Sequence, residues 1–314
     1  MRGSRMAYNP LFSPPPAKPL TAARPGDRRD GCVYLYTPEI TLAVNVALAT
    51  TRPLLVRGPS GGGKSTLARH VAGVLGWRYY EKVISSRTQA QDLFWEIDHL
   101  RRLQDAQLKK LRGGVGSYVN PGALWWGFDS SSARRQAERV HGKAAGQMDL
   151  NLGATEAARA VVLLDEIDKA EPDVPNNLLV PLGSFQFPVE ESQPVEVSDE
   201  LAPLVIITTN DERELPSAFL RRCVELVLPV PDRTRLLKIG HLHLPQTSET
   251  LRERIADLVL SAPTGGSAPV PSIAEYLDAV RACDRLGVEP DSTQWDDLLK
   301  ATLWKHGRTG MAAG

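Results

Sequence analysis

Gly58-Pro59-Ser60-Gly61-Gly62-Gly63-Lys64-Ser65 fills every fixed position of the pattern G-x-x-x-x-G-K-[ST]. The spacing answers a physical demand. Small residues let successive backbone N–H groups turn inward around a phosphate chain, and the lysine reaches the outer phosphates. The Ser65 hydroxyl is then a candidate ligand for Mg²⁺. The flanks complete the device. Pro53-Leu54-Leu55-Val56-Arg57 is a short apolar run of buried-strand type, and Leu67, Val71, Val74 and Leu75 recur on one face of a helix. A strand, a glycine turn and a helix N-terminus are what anion binding needs. A glycine-rich surface turn has no use for Lys-Ser and an amphipathic helix behind it. Gly58, Pro59, Ser60, Gly61, Gly62, Gly63, Lys64, Ser65 and Thr66 are therefore the expected nucleotide-binding residues.

The chain has 314 residues, 42% hydrophobic and 24% charged, which suits one large or two ordinary domains. Its 37 basic and 37 acidic residues give no net charge, so a global basic surface for nucleic acid is not indicated. Cys32, Cys223 and Cys283 are far apart and odd in number, which suggests neither a disulfide framework nor a zinc site and fits a reducing cytoplasm. His241 and His243 sit two apart on an expected helix, where that spacing points them to different faces. No apolar run approaches the roughly 20 residues that span a bilayer. The Arg- and Pro-rich N-terminus lacks an apolar signal core, and Met1-Arg2-Gly3-Ser4 resembles a vector-derived leader.

Along the chain, residues 1–34 with Pro14-Pro15-Pro16 read as an extended or disordered arm. Pro38 to Thr51 reads as helix, and Trp77 to Ile84 as a strand after the glycine loop. Residues 91–112 look helical, with Leu93, Ile97, Leu100, Leu103 and Leu111 among Arg101, Arg102, Lys109, Lys110 and Arg112. That basic set reads first as a solvated helix face. The stretch 130–158 is polar, with no clear period, and reads as a long loop with a short helix. Val161-Val162-Leu163-Leu164 and Leu204-Val205-Ile206-Ile207-Thr208-Thr209 are continuous apolar strands, and such runs between helices indicate a parallel sheet covered on both faces. Between them, 185–197 reads as a small hairpin. Beyond Pro231 only helices are expected. One opens on Ser272-Ile273-Ala274-Glu275, a capping-box pattern, and another lies around Trp295 to Trp304. The expected fold class is α/β: a P-loop core with a parallel sheet between helices, followed by a small all-helical lid at 231–314.

A phosphate loop alone binds nucleotide, whereas hydrolysis also needs a metal anchor, a base for water and a sensor of the γ-phosphate. Asp165 closes an apolar strand and is placed to hold Mg²⁺ with Ser65. Glu166 is placed to orient or deprotonate the attacking water. Asn210 ends the next strand, where its side chain could contact that water or the γ-phosphate. In a doubly wound sheet these positions converge at the carboxyl ends of the strands. Asp165-Glu166-Ile167-Asp168-Lys169 could instead be a charged turn that merely caps a helix. The glycine loop about 100 residues upstream favours the site.

The order Gly58–Ser65, Leu163-Leu164-Asp165-Glu166, Thr208-Thr209-Asn210, Leu215-Pro216-Ser217-Ala218-Phe219-Leu220-Arg221-Arg222 resembles an AAA+ ATPase. Within that superfamily it resembles the MoxR branch, also through Ser86-Arg87-Thr88, Gln91-Asp92-Leu93, Pro121-Gly122-Ala123-Leu124 and Asp165 to Ala170. The resemblance covers residues 35–285 or so and implies an ATP- and Mg²⁺-dependent ATPase domain over 35–230. It implies a ring, typically a hexamer, that remodels a protein client, often beside a protein with a von Willebrand factor A domain. It implies an arginine that acts in trans on the γ-phosphate held by the neighbouring subunit. Arg222 best matches it and Arg221 is the alternative; the residues alone allow both to pair with Glu212, Glu214 or Glu225. Residues 91–127 resemble a helix-2 insert and 185–197 the hairpin before the sensor strand, both facing a pore or partner in related machines. Trp125 and Trp126 lie there, and adjacent tryptophans are more often half-buried packing than a substrate grip. The family's sensor-2 arginine has no counterpart at Pro271 to Glu275, and Arg281 lies nearly two turns later. Two other functions fit the residues: a nucleotide-gated scaffold with little turnover, and a DNA-remodelling motor using Arg101 to Arg112. A GTPase is disfavoured, because no Asn-Lys-x-Asp motif follows the sensor strand.

Overall fold

The computed structural model describes residues 8–21, 31–111, 113–142, 158–197, 199–262 and 270–304. By their contacts they form two units: Met1–Pro15, Thr37–Arg57 and Val71–Val227, and then Pro16–Tyr36, Gly58–His70 and Leu228–Gly314.

The first unit is built on a five-stranded parallel sheet. Chain order brings α1 (Pro38–Thr50), β1 (Leu54–Arg57), α2 (Lys64–Leu75, shared along the chain with the second unit) and β2 (Arg78–Val83). After the insert come β5 (Ala160–Asp165), β8 (Leu204–Thr209) and β9 (Val224–Val227), and the spatial order is β2-β5-β8-β1-β9. The composition of each strand explains its place. Every residue of β5 and β8 is buried, as an interior parallel strand requires, while β2 and β9 each keep half-buried and exposed residues and take the edges. Fully burying each of the aliphatic side chains Val161 to Leu164 contributes about 1.5–3 kcal/mol. Register sets Val83 opposite Asp165, and Arg57 opposite both Thr209 and Val227, so the strand ends carrying the polar residues lie level.

The insert differs from the expected single helix over 91–112. A 3-10 turn (Gln91–Leu93) leads into β3 (Trp95–Ile97), which pairs antiparallel with β4 (Val119–Pro121); only α3 (His99–Gln107) is α-helical. The reason is burial of consecutive residues: Leu93, Phe94 and Trp95 are all inside, which no surface helix can arrange. Next come α4 (Ala123–Phe128) and α5 (Ser130–His141), so the helix expected within 130–158 stands at its start, 12 residues long and capped by Asp129. The remainder of that stretch, 143–157, lies outside the described residues. Trp125 and Trp126 are only 3% and 6% exposed, which makes them core and removes the substrate grip. Tyr80 stacks on Trp126, and Trp125 Nε1 donates to Ser132 Oγ at 2.8 Å.

After β5 come the short helices α6 (Asp173–Asn177) and α7 (Leu179–Ser184), then β6 (Gln186–Phe187) and β7 (Val195–Glu196), the expected hairpin, then β8 and α8 (Ser217–Leu220). Phe187 is the hairpin's anchor, with ring centroids 4.7 Å from Phe94 and 5.5 Å from Phe128. In the stretch read as an arm, Phe12 is buried and its N–H donates to Asn45 Oδ1 at 2.8 Å, so this part is extended but fastened to α1.

In the second unit, α9 (Arg233–His243), α10 (Glu249–Leu260), α11 (Ile273–Leu286) and α12 (Trp295–Thr302) enclose a core of Leu236, Ile255, Tyr276, Val280, Cys283 and Leu299. Asp232 caps α9. The capping box of α11 is present as expected: Ser272 accepts from Glu275 N while the Glu275 carboxylate accepts from Ser272 N at 2.8 Å. Among the described residues, no helix is long and apolar enough to cross a membrane.

Candidate functional site

The glycine loop belongs to the second unit, and Asp165, Glu166, Asn210 and Arg222 belong to the first. In the loop, Gly61 and Gly63 have φ of +71° and +90°, a region costly for any side chain-bearing residue. A Cβ on Gly61 would also stand 2.5 Å from Ser272 Oγ, so the start of α11 presses on the loop. Lys64 is buried, and its ammonium donates to Gly58 O at 2.7 Å and Pro59 O at 2.8 Å. Leu67 N donates to Gly63 O at 3.0 Å, which starts α2 directly from the last glycine. Ser65 and Thr66 stand half-buried in the first turn of α2.

Beside this loop stands an aromatic group that the pattern of the sequence did not reveal. Tyr34 lies 3.5 Å from the place a Gly63 Cβ would take. Its ring meets Tyr36 edge-on at 4.9 Å, and the Tyr36 hydroxyl bonds His70 Nδ1 at 3.0 Å. Arg235 Nη2 donates to Leu35 O at 3.1 Å and tethers the segment to α9. Burial pushes both tyrosine hydroxyls far up and the His70 imidazole down, which keeps all three neutral near pH 7. The only sequence signal was the alternation of Val33-Tyr34-Leu35-Tyr36, too short to separate from an arm.

In the first unit the ends of β5 and β8 are bound to each other by side chains. Thr208, fully buried, donates from Oγ1 to Asp165 Oδ1 at 2.6 Å and accepts from Glu166 N at 2.9 Å. One hydroxyl thus orients the carboxylate and holds the next residue. Glu166 sits in the left-handed region, φ 64° and ψ 51°, where a residue with a long side chain costs about 1–3 kcal/mol and marks functional turns. Its carboxylate accepts from Lys169 Nζ at 2.8 Å, and this bond is the first cause raising the Lys169 pKa. Asp168 is the second strap: buried at 2% exposure, its Oδ2 accepts from Asn210 N at 3.1 Å and Glu212 N at 3.0 Å. It fixes the backbone of Asn210. Among the described residues, the buried Asp168 Oδ1 has no hydrogen-bond partner. Thr208 and Asp168 were within motifs legible in the sequence, but their roles as straps were not.

Thr208→Val keeps the shape and removes the hydroxyl. It is expected to destabilise the chain by about 1–3 kcal/mol, because the half-buried Glu166 amide and the Asp165 carboxylate lose this hydroxyl. Thr208→Ser keeps both bonds and should recover most of that loss in urea unfolding. Equal losses for the two variants would show that the methyl, not the hydroxyl, matters.

Arg57, at the end of β1, pairs with Asp211 at 3.0 Å and Glu225 at 3.3 Å. Glu225 is thus engaged, Glu212 receives Asn210 Nδ2 at 3.4 Å, and neither Arg221 nor Arg222 forms an ion pair among the described residues. Both arginines follow α8 and are exposed; Arg222 lines a pocket of about 280 Å³ with Thr51, Arg52, Phe185, Phe219 and Cys223. Burial pushes the Cys223 thiol up to about 12, so it stays protonated there.

The profile of the AAA domain, dynein-related subfamily, matches residues 53–223. Curated proteins give no significant match. Among solved structures, a mutant of Thermotoga maritima RuvB is 17% identical over 83% of this chain and 66% of that one, with a TM-score of 0.45. The structure described as the Thermotoga maritima RuvB Holliday junction branch migration motor is 18% identical over 83% and 65%, with a TM-score of 0.43. The FIGL-1 AAA domain in complex with ADP is 17% identical over 80% and 66%, with a TM-score of 0.38. This chain therefore spans just under two thirds of the length of each of these three. The profile match takes in more than half of the 314 residues, including the glycine loop, both strand ends and Arg222, and on that ground the chain belongs to the AAA domain family, dynein-related subfamily.

Proposed function

We propose that the chain is a Mg²⁺-dependent ATP hydrolase of the MoxR branch, whose subunits form a ring, six in number, that remodels a protein partner in the cytoplasm. A von Willebrand factor A domain protein is the partner class that the resemblance favours. In this reading 35–230 is the ATPase domain, with 91–127 as its insert, and 231–314 is its lid. The observation that carries hydrolysis, beyond binding, is the strapped pair Asp165–Glu166: a carboxylate held by Thr208, next to a glutamate in a strained turn.

The residues fit a magnesium nucleotide. Glycines at positive φ, a buried ammonium and a helix N-terminus suit a polyphosphate. Ser65 and Asp165 are oxygen donors, as a hard cation requires. When bound, Mg²⁺ supplies neutralisation of phosphate charge. Lys64 exchanges its two carbonyl partners for phosphate oxygens. Thr208 holds Asp165 in the orientation for its ligand role. Glu166 positions the attacking water and takes its proton, for which it must leave Lys169. Asn210, with its backbone fixed by Asp168, orders that water or the γ-phosphate. Arg222 lies exposed and unpaired among the described residues, ready for a neighbour's nucleotide.

The test is steady-state ATPase activity against protein concentration. Specific activity should rise with assembly and saturate. Tight ATP binding without turnover at any concentration would favour the nucleotide-gated scaffold instead.

A further inference from the structure

The helix α3 is amphipathic in the wrong sense. At helical spacing, Leu100, Leu103 and Gln107 share one face, and Arg101 and Asp105 share the opposite one. The charged face is the one turned to the protein. Arg101 Nη1 donates to Val140 O at 2.6 Å and meets His141 Nδ1 at 3.3 Å, while Asp105 Oδ2 accepts from the hydroxyl of the buried Tyr118 at 3.0 Å. No residue of α3 is buried. Leu100 and Leu103 are 67% and 57% exposed, and Leu108 and Leu111 just beyond the helix are 64% and 55% exposed. A surface helix that served only the fold would turn its leucines inward.

The helix is nonetheless firmly built. Asp98 caps it through Arg101 N at 2.9 Å. Its end closes with Lys109 N on Ala106 O and Lys110 N on Asp105 O, the paired bonds of a Schellman stop, with Lys109 at φ 54°. The β3–β4 pair precedes and follows it. Leu100 and Leu103 are thus held outward on a capped helix, with Leu108 and Leu111 exposed just beyond it, a preorganised contact surface.

Charge says what covers them. Arg102, Lys109 and Lys110 are exposed around the leucines and have no ion pair with any described residue. The helix's nearby carboxylates are spent internally: Asp98 on the cap and Asp105 on Tyr118. The geometry points to α3 as a docking face for an acidic amphipathic helical segment of a protein partner, its apolar side on Leu100 and Leu103 and its carboxylates on Arg102, Lys109 and Lys110. A lipid surface suits the patch less, because it is short and has no aromatic anchor. Nucleic acid suits it less, because leucines fill the centre where phosphate contacts would be needed. The assignment deepens the remodeller reading and rests on it for the partner being a protein.

The test uses the full chain without nucleotide. Fluorescence anisotropy is followed with a labelled Leu/Glu amphipathic peptide of about 15 residues, its Leu/Lys counterpart, duplex DNA, and phosphatidylcholine–phosphatidylserine vesicles. Saturable binding of the acidic peptide alone is expected. It should weaken at least about tenfold in Leu100→Ser/Leu103→Ser and in Lys109→Glu/Lys110→Glu, with thermal midpoint and basal ATPase activity unchanged. Equal binding of both peptides, preference for DNA or vesicles, or wild-type affinity in the two variants would overturn it. Peptide binding without any ATP turnover would sink the remodeller reading and leave this one standing; turnover without peptide binding would do the opposite.

Discussion

Glu166→Gln is expected to cut steady-state ATP turnover by about a hundredfold or more, the usual contribution of a positioned general base. ATP affinity should stay within about threefold, because the substitution removes basicity and no phosphate contact. The fold should not notice. The bond that holds this turn is Glu166 N to Thr208 Oγ1, which the amide side chain leaves intact. The Gln oxygen can still accept from Lys169. A circular dichroism melt should therefore coincide with that of the wild type. Turnover above a tenth of the wild-type rate would remove Glu166 from the role of base.

Arg222→Ala is expected to lose about a thousandfold in turnover, the lower range for an arginine that stabilises transition-state charge across an interface. The side chain is exposed and makes no ion pair among the described residues, so its loss should leave the melt unchanged. The decisive form of the experiment mixes two inactive proteins. Arg222→Ala keeps Glu166, and Glu166→Gln keeps Arg222. In a random one-to-one ring about a quarter of the interfaces join an intact base to an intact arginine. Turnover should then reappear on mixing. No recovery would mean that Arg222 serves its own subunit or none. Arg221→Ala, run alongside, decides between the two neighbours: recovery in its place would assign the role to Arg221.

The parts of the site were legible wherever chemistry is local. The glycine loop, the acidic pair after an apolar strand and the polar strand end each rest on residues adjacent in the chain, and within the first unit Asp165 closes β5 and Asn210 follows β8. What ties those ends together was not legible. Thr208 to Asp165 spans 43 residues and Asp168 to Asn210 spans 42, and nothing in either segment alone predicts its partner. The Tyr34–Tyr36–His70 group was hidden for the same reason, since its members come from two distant stretches.

The insert shows the limit most plainly. Leucines spaced through 91–112 read as one helix with a solvated basic face, because periodicity reports that apolar residues share a face and not where that face points. Only packing decides direction. Here Leu93, Phe94 and Trp95 enter the core and break the helix into a hairpin, and Arg101 and Asp105 find polar partners beneath α3. The sequence by itself determined the parallel sheet and the strands that end at Asp165 and before Asn210, since strand burial follows from neighbouring residue types. The straps between strand ends, the burial of Trp125 and Trp126 and the outward face of α3 were decided by the tertiary structure, because each depends on a partner that only folding brings within reach.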